Sequence, residues 1–234
     1  MPADELAPDV LAHGDIVSLG RMPRSSNATL LVDVVLDGEQ VRAIYKPVRG
    51  ERPLWDFEPG LHRREVAAHR LSEAMGLGVV PETVLRDGPF GEGSVQRYVD
   101  HDPSQHYFTL FEQRHDLHGA LREICAFDLV ANNTDRKSGH CLLGTDDRVW
   151  AIDHGVCFSA DFKLRTVIWE FAGEPLPGDL AARVAAVADG VPEEVAELLS
   201  ADEVEAMRER AAWLAEGSVF PHDRSGSRYT WPLV

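Results

Sequence analysis

The chain has 234 residues, 44% of them hydrophobic, which is enough to bury a core in one domain or in two small lobes. Its formal net charge of -16 disfavours nucleic acid or an anionic membrane surface as a partner, because both bind to basic faces. The sequence lacks a run of 18 apolar residues and starts with an acidic stretch, so we expect neither a membrane span nor a signal peptide, and we predict a cytoplasmic protein.

The three cysteines, Cys125, Cys141 and Cys157, lie in apolar surroundings and form no C-x-x-C pair. An odd number without this spacing is typical of reduced core residues rather than of disulfides or a zinc site. We therefore predict three buried, free thiols.

Residues 14–46 alternate between short apolar runs and turn signals. The runs are rich in β-branched residues and follow a period of two, which favours strands with one buried face. The dipeptide Asp37-Gly38 suits the tight turn of a hairpin. This pattern predicts a three-stranded antiparallel meander that ends at Lys46.

A helix is predicted over residues 61–76, with Gly76 as its C-cap. Two more strands are expected at Val79–Val84 and Gly93–Val99. Residues 1–100 would then form an N-terminal lobe with a five-stranded sheet and one helix.

The second half of the chain has a different pattern. Apolar residues in "DLHGALREICAFDLVANN" recur at the spacing of a well-buried helix. A β-hairpin built from "CLLG" and "VWAI" follows, and helices are expected from Leu176 onward, including one opened by a capping box of Ser200 and Glu203. The fold class is therefore α+β, with residues 101–234 as a mainly helical C-terminal lobe.

Chemically versatile side chains follow the buried helix and the hairpin. Asp135, Lys137 and His140 lie in the stretch "NNTDRKSGH", and Asp153 ends the second strand of the hairpin in "IDHG". We expect these four side chains to meet at one edge. Phosphoryl transfer uses such a set, with one carboxylate to orient the attacking hydroxyl, others to hold Mg²⁺, and a cation on the transferred phosphate.

The first lobe offers a lysine and a glutamate that complete this set. Lys46 ends the third strand, and lysine is rare here, at three of 23 basic residues. Glu65 lies in the predicted helix, where Glu73 is a competing candidate. A compact ammonium near bound phosphates is a common reason to use lysine rather than arginine.

This order of strand lysine, helix glutamate, "NNTDRKSGH" and "IDHG" resembles the protein-kinase fold. The two motifs look most similar to those of the atypical phosphatidylinositol 3- and 4-kinase-like group, and within it the chain resembles a kinase-like family of actinobacteria. The resemblance extends from about Gly14 to about Phe171. It implies a two-lobed fold with a small antiparallel-sheet N-lobe, ATP and Mg²⁺ or Mn²⁺ as cofactors, and transfer of the γ-phosphate to a hydroxyl of a protein or small molecule.

The resemblance also implies roles for individual residues. Lys46 would bind the α- and β-phosphates and pair with Glu65, and Asp135 would be the catalytic aspartate. Lys137 would approach the γ-phosphate, and Asp153 would bind the metal ion.

The same resemblance suggests where the rest of the nucleotide lies. Ser25, Ser26 and Asn27 occupy the position of the loop that covers the phosphates, although this loop lacks the usual glycines. Gln96 and Tyr98 precede the segment that would contact adenine.

His140 stands where kinases place a metal-binding asparagine. Mg²⁺ prefers oxygen ligands, whereas an imidazole suits Mn²⁺ or Zn²⁺. Either His140 is a ligand of the second metal, or Asn132 or Asn133 supplies an amide oxygen, or the chain does not transfer phosphate. The alternatives to a kinase are accordingly a nucleotide-binding regulatory module without turnover and a transferase of AMP.

Overall fold

The structure, a computed structural model, describes residues 7–22 and 28–233. These residues form seven helices, α1 (Ala7–His13), α2 (Leu61–Ala74), α3 (Tyr107–Gln113), α4 (His118–Ala131), α5 (Gly178–Asp189), α6 (Glu193–Ala196) and α7 (Ala201–Gly217). They also form seven strands, β1 (Asp15–Arg21), β2 (Leu30–Leu36), β3 (Glu39–Pro47), β4 (Thr83–Gly88), β5 (Gly91–Arg97), β6 (Cys141–Leu143) and β7 (Val149–Ala151).

The predicted meander forms the first three strands of an antiparallel sheet with the order β1-β2-β3-β5-β4. Asp37 and Gly38 connect β2 to β3 with φ angles of 52° and 88°. A two-residue turn with both φ angles positive matches the twist of the flanking strands. The five-stranded sheet and the turn between β2 and β3 are therefore confirmed.

Three features of the first half differ from the prediction. The fifth strand is Gly91–Arg97 rather than Gly93–Val99. The fourth strand starts at Thr83 rather than at Val79. Val79 and Val80 are buried in the larger core, and the Val79 carbonyl accepts a bond of 2.7 Å from the backbone of Ala151 in β7. In addition, α1 precedes the sheet, where no helix was predicted.

Helix α2 connects the two halves of the molecule. Its fully buried residues Ala67, Ala68 and Leu71 belong to the core cluster that contains most of the second half, whereas the sheet has a smaller core of its own. The C-cap of α2 is Met75, and Gly76, the predicted C-cap, follows it with a φ of 63°, a left-handed conformation that favours glycine.

The second half is mainly helical. Helix α4 is buried along most of its length, and the hairpin β6–β7 follows it. Ser200 and Glu203 form the predicted capping box at the start of α7. The three cysteines are free and buried, as predicted. Within residues 7–22 and 28–233, no helix is long and apolar enough to span a membrane.

Candidate active site

A cleft of about 390 Å³ lies between the sheet and the second half of the chain. Its lining includes seven predicted site residues, namely Lys46, Glu65, Gln96, Asp135, Lys137, His140 and Asp153. The structure thus brings together side chains that are up to 107 positions apart along the chain.

Lys46 is held by one carboxylate from each half of the molecule. Its Nζ donates to Glu65 and, at 2.9 Å, to Oδ1 of Asp153. Glu65 also accepts a bond of 3.0 Å from the backbone N–H of His154, so one carboxylate ties β3 to the segment after β7. Glu73, the competing candidate, is exposed. Glu65 is therefore the partner of Lys46.

The electrostatics of this group favour the charged forms. Burial opposes the ammonium of Lys46, but Asp153 and Glu65 outweigh it and raise its pKa above the ordinary value. The nearby Lys46 lowers the pKa of Asp153 well below the ordinary range. Asp153 has a φ of 65°, an uncommon conformation for a residue other than glycine and one often found at functional sites.

His140 lies beside Asp153, with 3.5 Å between Nε2 and Oδ2. Burial lowers the pKa of His140, so the ring is neutral near pH 7. The backbone N–H of Lys137 points at Nδ1 across 3.4 Å, which places the ring proton on Nε2, facing Asp153. A metal ion on Nε2 would require this proton to move to Nδ1 and the weak contact with Lys137 to be lost.

Asp135 is held in place by three neighbours. Lys137 donates to its Oδ2 at 2.8 Å, and the hydroxyl of Thr230 donates to its Oδ1. Its backbone N–H donates to Oδ1 of Asn133 at 2.9 Å. The carboxylate therefore has a fixed direction at the edge of the cleft.

Asn132 and Asn133 do not reach the cleft. Both are fully buried, and each Oδ1 already accepts a backbone N–H, from Lys163 for Asn132 and from Asp135 for Asn133. Asn132 ends α4 with a φ of 52°, and its amide bonds to the carbonyls of Ser159 and Asp161. The alternative in which one of these amides replaces His140 as a metal ligand is therefore wrong.

Arg136, the residue that organises this loop, was not among the predicted site residues. It is fully buried and makes two bonds of 2.8 Å to the carboxylate of Asp128 in α4. It also donates to the carbonyls of His140 and Ile152 and to Nε2 of His154. The one available signal was Asp128 within the otherwise apolar residues 124–131 of α4.

The predicted contacts with adenine and with the phosphate-covering loop have different outcomes. Gln96 lines the cleft and donates to Thr83 at 2.9 Å, but Tyr98 is not among the lining residues. Strand β5 ends at Arg97, one residue before Tyr98. Ser25, Ser26 and Asn27 lie outside the described residues.

The donor set suits a metal ion that is shared with phosphates. In the part of the chain that the structure describes, no group of three or more His, Cys, Asp or Glu side chains is arranged to hold a metal by itself. Mg²⁺ in phosphoryl-transfer sites is typically bound by one or two carboxylates together with substrate phosphates and water. Asp153, with His140 beside it, fits that pattern.

Comparisons with known proteins bear on the fold and on the family of this chain. No protein-family model matches the chain. Among solved structures, it is similar to the Helicobacter pylori proinflammatory kinase CtkA, with a TM-score of 0.51 and 11% identity over 90% of this chain and 94% of that one. It is also similar to hydra Fam20, solved with sugar, with a TM-score of 0.55 and 12% identity over 90% of this chain and 86% of that one.

Both neighbours have kinase-like folds, so the described architecture is a two-lobed kinase-like fold. In sequence, protein Rv2133c of Mycobacterium tuberculosis is 36% identical over 95% of this chain and 94% of its own length. The chain therefore belongs to the same family as protein Rv2133c.

Proposed function

We propose that this protein is an ATP-dependent phosphotransferase, an atypical kinase that moves the γ-phosphate to a hydroxyl group of a protein or small molecule. The observation that carries the proposal is the contact of Lys46 with both Glu65 and Asp153 in the cleft that also contains Asp135 and Lys137. This arrangement unites a phosphate-binding cation, a metal-binding carboxylate and a carboxylate for the attacking hydroxyl.

Each part of the cleft would contact a different part of ATP. Ala28, Ile44 and Ile152 give the lining an apolar portion that suits a base, and Gln96 is the candidate polar contact. Lys46 would bind the α- and β-phosphates, and Glu65 keeps its ammonium in place.

Transfer itself would depend on Asp135 and Lys137. Asp135 would accept a hydrogen bond from the acceptor hydroxyl and receive its proton as the new oxygen–phosphorus bond forms, while the bond from the γ-phosphorus to the bridging oxygen of ATP breaks and ADP leaves. Lys137, which already contacts Asp135, would offset charge on the transferred group.

Asp153 and His140 are the proposed metal-binding residues. Mg²⁺ or Mn²⁺, when bound, would neutralise charge on the phosphate oxygens. Asp153 is an oxygen donor for either ion, whereas the imidazole of His140 favours Mn²⁺. If His140 is a ligand, His140→Asn should shift the preferred ion from Mn²⁺ toward Mg²⁺. If its Nε2–H instead orients Asp153, the ratio of rates with the two ions should not change.

The direct test is transfer of label from γ-labelled ATP, with Mg²⁺ or Mn²⁺, to the protein itself or to a panel of hydroxyl compounds. Asp135→Asn should lower turnover about 100-fold or more, because it removes the proton acceptor and keeps the shape. Asp189→Asn, an exposed carboxylate at the end of α5, is the matched control and should retain full turnover. Equal turnover in wild type and Asp135→Asn would contradict the proposal.

A nucleotide-binding module without turnover is the second candidate, and the observation that favours it is His140 in the place of a metal-binding asparagine. It predicts that ATP raises the melting temperature while no label is transferred, and that Lys46→Met removes this stabilisation. Label from the α-phosphate in the product would instead indicate transfer of AMP.

Finer assignments are proposals as well. The order of "NNTDRKSGH" and "IDHG" supports membership of the phosphatidylinositol 3- and 4-kinase-like group, and a lobe boundary near residue 100 follows from the change of pattern there. Three free, buried cysteines support a reducing compartment such as the cytoplasm. The net charge of -16 makes nucleic acid an unfavourable partner.

A further inference from the structure

The end of the chain contacts the loop that contains Asp135. We call residues 228–233 the C-terminal strap. The carbonyl of Arg228 accepts a bond of 2.9 Å from the backbone of Thr166, and the carbonyl of Leu233 accepts one of 2.8 Å from the backbone of Ser138. The strap is therefore anchored near both of its ends, and one anchor lies in the loop itself.

Thr230 lies between these two anchors. Its side chain is buried, at 2% exposure, and its hydroxyl donates to Oδ1 of Asp135, which is 95 positions earlier in the chain. Lys137 donates to the other oxygen of the same carboxylate. Two donors on two different oxygens restrict both side-chain torsions of Asp135.

The location of Thr230 indicates how this contact acts. Asp135 lines the cleft, whereas Thr230 is not among the lining residues. The hydroxyl of Thr230 therefore approaches the carboxylate from the protein side. A buried hydroxyl in this position affects the reaction through Asp135 rather than by contact with substrate.

We propose that Thr230 is a positioning residue for Asp135 and that the C-terminal strap is an integral part of the catalytic centre. The inference rests on the proposed phosphotransferase function. A carboxylate that must accept a proton from an acceptor hydroxyl needs a fixed direction, and a small displacement of a reacting group costs a large part of the rate. The strap supplies this constraint from a segment remote in sequence.

The test compares Thr230→Val, which keeps the side-chain shape but removes the hydroxyl, with Thr230→Ser, which keeps the hydroxyl. Thr230→Val should lower kcat about 10- to 100-fold, and Thr230→Ser should restore it to within about threefold of wild type. KM for ATP should stay within about twofold in both variants, because Lys46 and Glu65 are not affected.

Thr166→Val is the matched control. Thr166 is buried, lies in the segment that pairs with the strap, and loses a comparable hydroxyl without contact to Asp135. It should retain kcat within about threefold of wild type. Melting temperatures of all variants show whether they are folded, and Thr230→Ala replaces Thr230→Val if the valine variant does not fold.

The outcomes separate this inference from the proposed function. If wild type turns over and Asp135→Asn does not, full kcat in Thr230→Val overturns the inference alone. Equal losses of kcat in Thr230→Val, Thr230→Ser and Thr166→Val also overturn it, because they indicate a general structural effect. Phosphate found on Thr230 by mass spectrometry would make the hydroxyl an acceptor and overturn the positioning role. A wild type without turnover overturns both proposals.

Discussion

The buried ion pair between Arg136 and Asp128 provides the clearest test of what holds the candidate active site together. Arg136 is fully buried and Asp128 nearly so. The carboxylate accepts two bonds from Arg136 and one of 3.0 Å from the amide of Asn133. In Asp128→Asn, one oxygen becomes an NH₂ group that faces donors, so at least one of these bonds is lost. Among the residues that the structure describes, Arg136 then has no partner of opposite charge in contact.

The magnitude follows from the burial of both groups. Removal of one partner from a buried ion pair typically costs about 3–5 kcal/mol, because a charge remains buried without compensation. For a chain of this size, each kcal/mol lowers the melting temperature by about 2–4 °C. Asp128→Asn should therefore lower the free energy of unfolding by about 3–5 kcal/mol and the melting temperature by about 6–20 °C.

Urea denaturation followed by circular dichroism measures the first quantity, and differential scanning calorimetry measures the second. Glu205→Gln is the matched control, because the pair of Arg208 and Glu205 on α7 is largely exposed, with 3.0 Å between the charged groups. This control should change the free energy of unfolding by less than about 0.5 kcal/mol. A loss of less than about 1 kcal/mol in Asp128→Asn would refute the argument that this pair is essential for the loop.

The cleft and the base of α2 give two further predictions. Glu65→Gln should weaken binding of a non-hydrolysable ATP analogue about 10-fold or more in calorimetric titration, because Lys46 loses a charged partner that holds it in the cleft; unchanged affinity would contradict this role. His62 donates to Glu51 at 2.6 Å and to Glu92 at 3.0 Å, and although burial opposes its charge, these carboxylates raise its pKa above the ordinary value. The charged ring contributes fully to stability below the unfolded pKa of about 6.5, and this contribution is lost as the pH rises through the folded pKa. In urea denaturation, His62→Gln should therefore lower the free energy of unfolding more at about pH 5.5 than at about pH 9. An equal loss at both pH values would exclude a charged His62.

Local patterns of the sequence were sufficient for most of the fold. The β-branched, apolar runs of β2 and β3 and the turn at Asp37 are encoded within a few residues, and so is the capping box of α7. The start of β4 could not be predicted in this way, because Val79 and Val80 have the composition of a strand but lie outside β4. They fill the larger core, which is formed mainly by residues far away in sequence.

The candidate site likewise contains residues that the local sequence identifies and residues that depend on contacts distant in sequence. Lys46, Asp135 and Asp153 could be identified because their chemistry and their order restrict what they do. Arg136 is one of 20 arginines, since lysines account for three of the 23 basic residues, and nothing local distinguishes a buried arginine from an exposed one. Thr230 was missed because its partner is 95 residues away.

The packing of α2 bears on whether the pair of Lys46 and Glu65 forms only when a ligand is present. An outward movement of α2 would break this pair, but it would also expose Ala67, Ala68 and Leu71, which are fully buried in the larger core. Exposure of a buried leucine alone costs about 1.5–3 kcal/mol. The same movement would separate Arg64 from Glu203 in α7, both of which are largely buried. We therefore expect the pair of Lys46 and Glu65 to persist without nucleotide, with the cleft already arranged for phosphates before they bind.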